Sequence, residues 1–301
     1  MIVREAWAGT RERLAKTGVA DASLEAEVLL RTALGVDRTG FVASLNMEIA
    51  PDRALAAEGL IARRLAGEPL AYIIGSREFY GLDFVVNASV LVPRQETEHL
   101  VDAVVDFSRS LGDPPLEIAD VGTGSGAIAV AVARHLPAAT VYATDASRTA
   151  LEVADANRRR LGVADLVSLH EGDLLEALPG TVDVIVSNPP YIATAEFGTL
   201  PVDVLREPMA ALAGGPDGLS VTRRLIRRAP SYLRAGGRLV VEIAPAQLDT
   251  ATRIATEVFA DAEIGFQRDL AGRPRVLVVD LGREARVVDA ARAEPSRNTR
   301  A

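Results

Sequence analysis

Leu116-Glu117-Ile118-Ala119-Asp120-Val121-Gly122-Thr123-Gly124-Ser125-Gly126-Ala127 decides how this chain folds. Leu116 to Val121 has the apolar character of a buried strand, and glycine then recurs at alternate positions before an alanine-rich helical pattern opens. Glycines at such a turn let the backbone come close to a ligand, and the following helix points unpaired N–H groups at it. Downstream the alternation repeats. Strands are predicted at Thr140–Thr144, Leu166–His170, Val182–Ser187, Gly237–Ile243, Ala262–Gln267 and Arg275–Leu281, with helices beginning near Ser125, Ser147 and Asp217 and only a turn after Asp173. This order predicts an α/β fold with a doubly wound, Rossmann-like sheet.

Ahead of the sheet, residues 1–68 read as a small helical bundle. Leu24, Val28 and Leu29, then Leu55, Leu60, Ile61 and Leu65, recur near a 3.6-residue period, with breaks at Gly18, Gly35 and Pro51. No candidate chemistry stands out there, which suits a module that recognises a substrate. Residues 69–93 are aromatic and β-branched with glycine turns, and predict a β-hairpin linker. A helix follows to about Ser110, with Thr97 or Glu98 near its start read as a cap. Residues 94–283 carry the sheet, and 284–301 read as a disordered tail.

Hydrophobic residues make up 49% of the 301 and charged residues 25%, a globular composition. Cysteine is absent, which excludes disulfides and thiolate metal sites, and His99, His135 and His170 have no metal-ligand spacing. No apolar signal core follows Met1 and no apolar run is long enough to span a bilayer, so a cytoplasmic protein free of membranes is expected, and a monomer is the expected state. A net charge of −8 repels nucleic acid at long range, and Arg158-Arg159-Arg160 and Arg223, Arg224, Arg227 and Arg228 read as solvated helix faces.

Candidate site residues fall after successive strands. The loop Gly122, Thr123, Gly124, Ser125, Gly126 could serve a dinucleotide as well as S-adenosylmethionine. Asp145 ends the second strand, 19 residues beyond Gly126, where a carboxylate accepts from both ribose hydroxyls. Asp173 follows the third strand and suits the adenine amino group, with the Leu174 backbone beside the ring. After the fourth come Ser187-Asn188-Pro189-Pro190-Tyr191. Two prolines end the strand and stiffen the corner, leaving the Asn188 side-chain oxygen and the Pro189 carbonyl as acceptors beside the Tyr191 ring. A planar –NH2 group, whose two N–H bonds need two acceptors, fits that corner, and hydride transfer has no use for it. The set of four points to S-adenosylmethionine.

In these residues the chain resembles the class I methyltransferases, and among them the peptide-chain release factor glutamine methyltransferases. Gly67 to Gly75, Phe79-Tyr80-Gly81, Leu91 to Arg94 with Glu96-Thr97-Glu98, Asp120 to Gly126, Ser187 to Ile192, Glu207-Pro208, Gly214 to Leu219 and Asp269 to Arg273 carry the resemblance. It implies methylation of the glutamine amide in the Gly-Gly-Gln loop of class 1 release factors. It also implies that Asn188, Pro189, Pro190 and Tyr191 hold that glutamine, that Gly122 to Gly126, Asp145 and Asn188 contact the cofactor, and that the helical bundle grips the protein substrate. Gln95, Arg206 and Ala244 stand where the family usually has proline, an aromatic residue and glycine. Another planar amine, a ribosomal-protein glutamine or adenine N6 in nucleic acid, offers the same geometry, although a duplex substrate requires base flipping and a basic track. A non-catalytic nucleotide binder and a dehydrogenase are the readings from other classes.

Overall fold

The computed structural model describes residues 1–282, so the predicted tail lies outside the described residues. The chain divides into two compact units. The first comprises Met1–Ser76, Val86–Ala88 and Leu200–Glu207. Its helices are α1 (Val3–Lys16), α2 (Ala22–Leu34), α3 (Arg38–Ser44), α4 (Pro51–Leu65) and α5 (Leu70–Ile74). Local chemistry punctuates them. Gly35 ends α2 at a φ of 71°, the Asp37 carboxylate accepts from Gly40 N at 2.7 Å to cap α3, and Pro51 opens α4 where its missing N–H costs nothing.

The bundle buries Leu14, Leu29, Leu30, Phe41 and Ile61, with Trp7 set edge-on to Phe41. Arg64 of α4, 7% exposed, forks onto Glu25 at 2.5 and 3.1 Å and reaches Asp203 at 3.2 Å. That pair of carboxylates ties Leu200–Glu207 to the bundle. Arg206, one of the departures, donates to Ala66 O at 3.3 Å in the same unit.

Among the described residues the second unit comprises Arg77–Val85, Ser89–Thr199 and residues 208–282. Strands β1 (Ser76–Phe79) and β2 (Leu82–Val85) form a hairpin whose two-residue turn, Tyr80-Gly81, takes positive φ at both positions, as a type I′ turn demands. Then follow α6 (Glu98–Ser110), β3 (Glu117–Val121), α7 (Ala127–His135), β4 (Thr140–Asp145), α8 (Arg148–Arg160), β5 (Val167–Glu171), β6 (Val182–Ser187), β7 (Ile192–Ala193), α9 (Met209–Leu212), β8 (Ala213–Gly215), α10 (Ser220–Arg228), β9 (Leu233–Glu242), α11 (Leu248–Val258), β10 (Glu263–Arg268) and β11 (Pro274–Asp280).

Seven strands form one sheet in the order β10-β11-β9-β6-β3-β4-β5, parallel except where β11 pairs with β9 and β10. From β3 the chain winds outward through β4 and β5, then returns to β6 on its other side. That reversal makes a crevice at the carboxyl ends of β3 and β6, the place where open α/β sheets bind ligands. Each face is covered. Ile118 packs with Val101 and Ile128 of α6 and α7, while Ala119 and Val121 pack with Leu225, Ile226 and Ile254 of α10 and α11. The fold is the doubly wound sheet that the strand pattern predicts.

Three details differ from expectation. The predicted hairpin linker opens with a helix instead of a strand: α5 (Leu70–Ile74) starts after Pro69 and ends at Gly75 with a φ of 80°, and only Ser76–Val85 forms the hairpin, because the apolar run Leu70–Ile74 is too short for its periodicity to tell helix from strand. Strand β9 starts at Leu233 rather than Gly237, with a register shift opposite Val182 and Val184, because Arg234 to Gly237 interrupt the apolar pattern without ending the pairing. Strands β7 and β8, two and three residues long, pair in parallel and were too short to show any periodicity. Among the described residues no helix is long and apolar enough to cross a membrane, and no acidic or histidine cluster could hold a metal ion.

Candidate active site

A cavity of about 420 Å³ opens at the carboxyl ends of β3, β4 and β6. The glycine loop forms its floor. Gly122 N and Thr123 N donate to Thr144 O at 2.8 and 2.9 Å, which bends the chain back over β4. Gly122 and Gly124 have φ values of 74° and 56°, and a Cβ on either would meet no atom within 4 Å, so both line open space. Thr123 and Ser125 line the cavity too, but Gly126 does not. Its Cβ would stand 3.2 Å from Ala154 Cβ, so this third glycine serves the close approach of α7 and α8.

Asp145, the last residue of β4, accepts from Gly124 N at 2.9 Å through one oxygen and from Ser147 N at 2.8 Å through the other. Each oxygen keeps a second acceptor position for a ligand. Beneath the loop, Asp120 is fully buried and its carboxyl is pushed up to about 7 by burial, against the donation of Thr123 Oγ1 at 2.6 Å and Ala129 N at 3.0 Å, with the nearby Asp145 charge adding to the rise. The loop is braced from behind by Asn157, wholly buried on α8, whose amide donates to Ser125 O and Val85 O.

Asp173 and Leu174 line the cavity after β5. Leu174 holds a φ of 55°, rare for a branched residue, and its carbonyl accepts from Thr144 Oγ1 at 2.8 Å. Asp173 pairs through Oδ2 with Arg224 and, at 3.5 Å, with Arg228. Arg224 also lines the cavity, so one of the arginines read as a solvated helix face belongs to the site. Its basic neighbours on α10 gave no signal that this one differed.

The corner after β6 forms the far wall. Ser187 Oγ donates to Val121 O at 2.7 Å, pinning the end of β6 to β3. Asn188, Pro189 and Pro190 line the cavity. Asn188 Nδ2 donates to Thr97 Oγ1 at 3.0 Å, and Thr97 donates in turn to Glu242 Oε2 at 2.7 Å. The Asn188 amide thus turns its nitrogen to the protein, with one N–H on Thr97, and leaves Oδ1 for a ligand. Thr97, expected as a helix cap, makes no capping bond.

Glu242 ends β9 with no exposed surface, and its Oε1 has no hydrogen-bond partner. Burial pushes this carboxyl up to about 7, opposed by Thr97 and Arg275. Tyr191, expected to pack on the acceptor, does not line the cavity. Its hydroxyl faces the Glu242 carboxyl without a well-formed hydrogen bond, and burial holds the phenol far above its ordinary range. Its main-chain carbonyl accepts from Gln247 Nε2 at 2.8 Å, and Gln247 Oε1 accepts from Ala244 N, so Tyr191 braces the corner from behind.

A glycine-floored cavity at the switch point of a Rossmann-like sheet, with a carboxylate at the second strand and an acceptor corner at the fourth, defines a class I methyltransferase. Residues 5–75 match the family model described as PrmC N-terminal domain, and residues 111–215 match the Methyltransferase small domain. A release factor glutamine methyltransferase of Moorella thermoacetica is 46% identical over 91% of this chain and 97% of its own, and one of Geobacter sulfurreducens 44% identical over 82% and 86%. The chain belongs to the release factor glutamine methyltransferase family. A methyltransferase structure from Pyrococcus furiosus, 19% identical, covers 73% of this chain and 97% of its own at a TM-score of 0.50, which shows the shared fold.

Proposed function

We propose that this enzyme methylates the side-chain amide nitrogen of the glutamine in the Gly-Gly-Gln loop of class 1 peptide-chain release factors, with S-adenosylmethionine as methyl donor. The observation that carries the reading is the Asn188 amide, tethered through its nitrogen and lining the cavity beside Pro189. Family membership supports the choice of glutamine. Residues 1–68 are taken as the module that recognises the release factor, in a cytoplasmic, monomeric enzyme.

The cavity suits the donor. Gly122 and Gly124 leave open space where a side chain would intrude, Asp145 keeps an acceptor position on each oxygen for the ribose, and the arginines occupy only Oδ2 of Asp173. When bound, S-adenosylmethionine supplies a methyl group on a sulfonium sulfur, which keeps the C–S electron pair as the amide nitrogen takes the methyl and gives up a proton to solvent.

The chain's own residues deal with a weak nucleophile. An amide lone pair is delocalised into its carbonyl, so orientation matters more than a base. Asn188 Oδ1 and the Pro189 carbonyl each accept one N–H, which aims the nitrogen into the cavity and stabilises the positive charge that builds on it. Successive prolines hold the Pro189 carbonyl still, and the bond to Thr97 holds the Asn188 amide. Val90, Leu91, Pro93 and Ala210 make the surrounding wall apolar and keep water out. Asn188→Ala tests this reading. Its kcat on a release factor should fall about 10²-fold or more, as when one oriented charge-stabilising group is lost. Full turnover by that variant would sink the mechanism.

A further inference from the structure

A carboxamide can turn its oxygen or its nitrogen toward a ligand, because its two ends have nearly the same shape. Methyl transfer at the corner needs the oxygen there. An –NH2 in its place would meet the –NH2 of the acceptor, donor against donor. The choice is made behind the cavity wall.

Thr97 lies in a turn of 3-10 helix, residues 95–97, just ahead of α6, and is 5% exposed. It has one proton to give, and that proton goes to Glu242 Oε2 at 2.7 Å. Above about pH 7, where Glu242 is ionised, its carboxylate only accepts and so imposes the direction of this bond. The Thr97 oxygen then has only lone pairs to offer Asn188, 3.0 Å away, and Asn188 must meet it with Nδ2. Neither tether is local: Thr97 is 91 residues from Asn188 and 145 from Glu242.

Stability gives no reason for a carboxyl at this position. Glu242 is completely buried and one of its oxygens has no partner, which is unfavourable, and an apolar residue of similar volume would fill the space without that cost. Thr97 and Glu96 from the turn, Tyr191 from the loop after β6 and Arg275 from β11 face it, and of these only Thr97 makes a well-formed hydrogen bond to it. Its one directed contact leads to the acceptor corner.

We propose that Thr97 and Glu242 are positioning residues for methyl transfer, forming a one-way relay that holds the Asn188 amide with Oδ1 toward the acceptor. This rests on the function proposed above. The relay touches no part of the glycine loop or Asp145, so it should govern turnover and leave donor binding alone.

The test compares wild type with Thr97→Val, Thr97→Ser and Glu242→Gln, measuring kcat and KM on a release factor, the dissociation constant of S-adenosylmethionine by calorimetry, and thermal unfolding. Thr97→Val should lower kcat roughly 10²-fold, the loss expected when a reacting group is slightly misplaced, with the donor constant within twofold of wild type. Thr97→Ser, which restores the hydroxyl, should recover most of that loss. Glu242→Gln removes the buried charge at nearly constant shape, so it should unfold at or above the wild-type temperature yet turn over at least tenfold more slowly, because a glutamine no longer dictates direction.

Wild-type kcat in whichever of Thr97→Val and Glu242→Gln folds overturns the relay. So does a kcat loss matched by equal weakening of donor binding, or one that Thr97→Ser fails to rescue. If wild type itself transfers no methyl to the release factor, the functional reading fails, whereas wild-type transfer with unaffected variants sinks the relay alone.

Discussion

Gly218 lies so close to Tyr191 that a Cβ on it would stand 2.3 Å from the Tyr191 main-chain oxygen, and as close to the Gln247 amide that donates to that oxygen. Its φ of 74° is also one that side chains resist. A residue remote from the reacting atoms therefore sets where the acceptor corner sits.

Gly218→Ala should lower stability by at least about 1–3 kcal/mol from backbone strain alone and cut kcat by roughly 10²-fold as the corner shifts. Gly122→Ala provides the contrast. It carries the same φ but no neighbour within 4 Å, so it should weaken donor binding more than turnover. Denaturant unfolding and steady-state kinetics on the two variants check this, and equal effects would refute it.

Asp145→Ala should raise the dissociation constant of S-adenosylmethionine by about 10- to 10²-fold, the worth of one or two hydrogen bonds to a charged acceptor, with kcat at saturating donor changed little. Calorimetric titration measures the first effect. A fall in kcat without weaker donor binding would contradict the assignment.

Burial raises the carboxyls of both Glu242 and Asp120 to about 7, well above the ordinary carboxylate range. Raised carboxyls bind protons in the folded state that the unfolded chain has already released, so stability should fall as pH rises from about 4 to 7 and level off above. For Glu242 alone the fall is on the order of 3 kcal/mol at most. Activity should move the other way. Protonated Glu242 can donate to Thr97 and reverse the relay, so kcat should drop as pH falls through about 7. Unfolding and turnover followed against pH, with Glu242→Gln flattening its share of both profiles, check the sign.

Arg64→Ala in the helical unit strands two carboxylates. Arg64 and Glu25 are 7% and 16% exposed but Asp203 is 34% exposed, so the cost should sit near the lower end of the roughly 3–5 kcal/mol typical of a broken buried pair. Arg64→Met, which keeps the packing, should lose less. Equilibrium unfolding distinguishes them.

The strand ends were legible because each buried strand stops at a residue with its own chemistry, Gly122 after β3, Asp145 at the end of β4 and Pro189 after β6. The floor and the corner of the cavity could be read from those breaks. What joins them could not. Asn188, Thr97 and Glu242 come from three distant segments, and no spacing rule links positions 97, 188 and 242. Arg224 was hidden among like residues on α10, and Gly126 looked like its two neighbours until α8 was seen against it. Tyr191 sat in a suggestive motif, yet its hydroxyl faces Glu242 and its carbonyl accepts from Gln247.

The most direct test of the account is transfer of labelled methyl from S-adenosylmethionine to a purified class 1 release factor, run beside the same factor with the Gly-Gly-Gln glutamine changed to alanine and beside a nucleic-acid control. Label on the wild-type factor alone is the expected result. Label on the alanine variant or on the nucleic acid, with none dependent on that glutamine, would contradict it and assign the acceptor corner to a different amine.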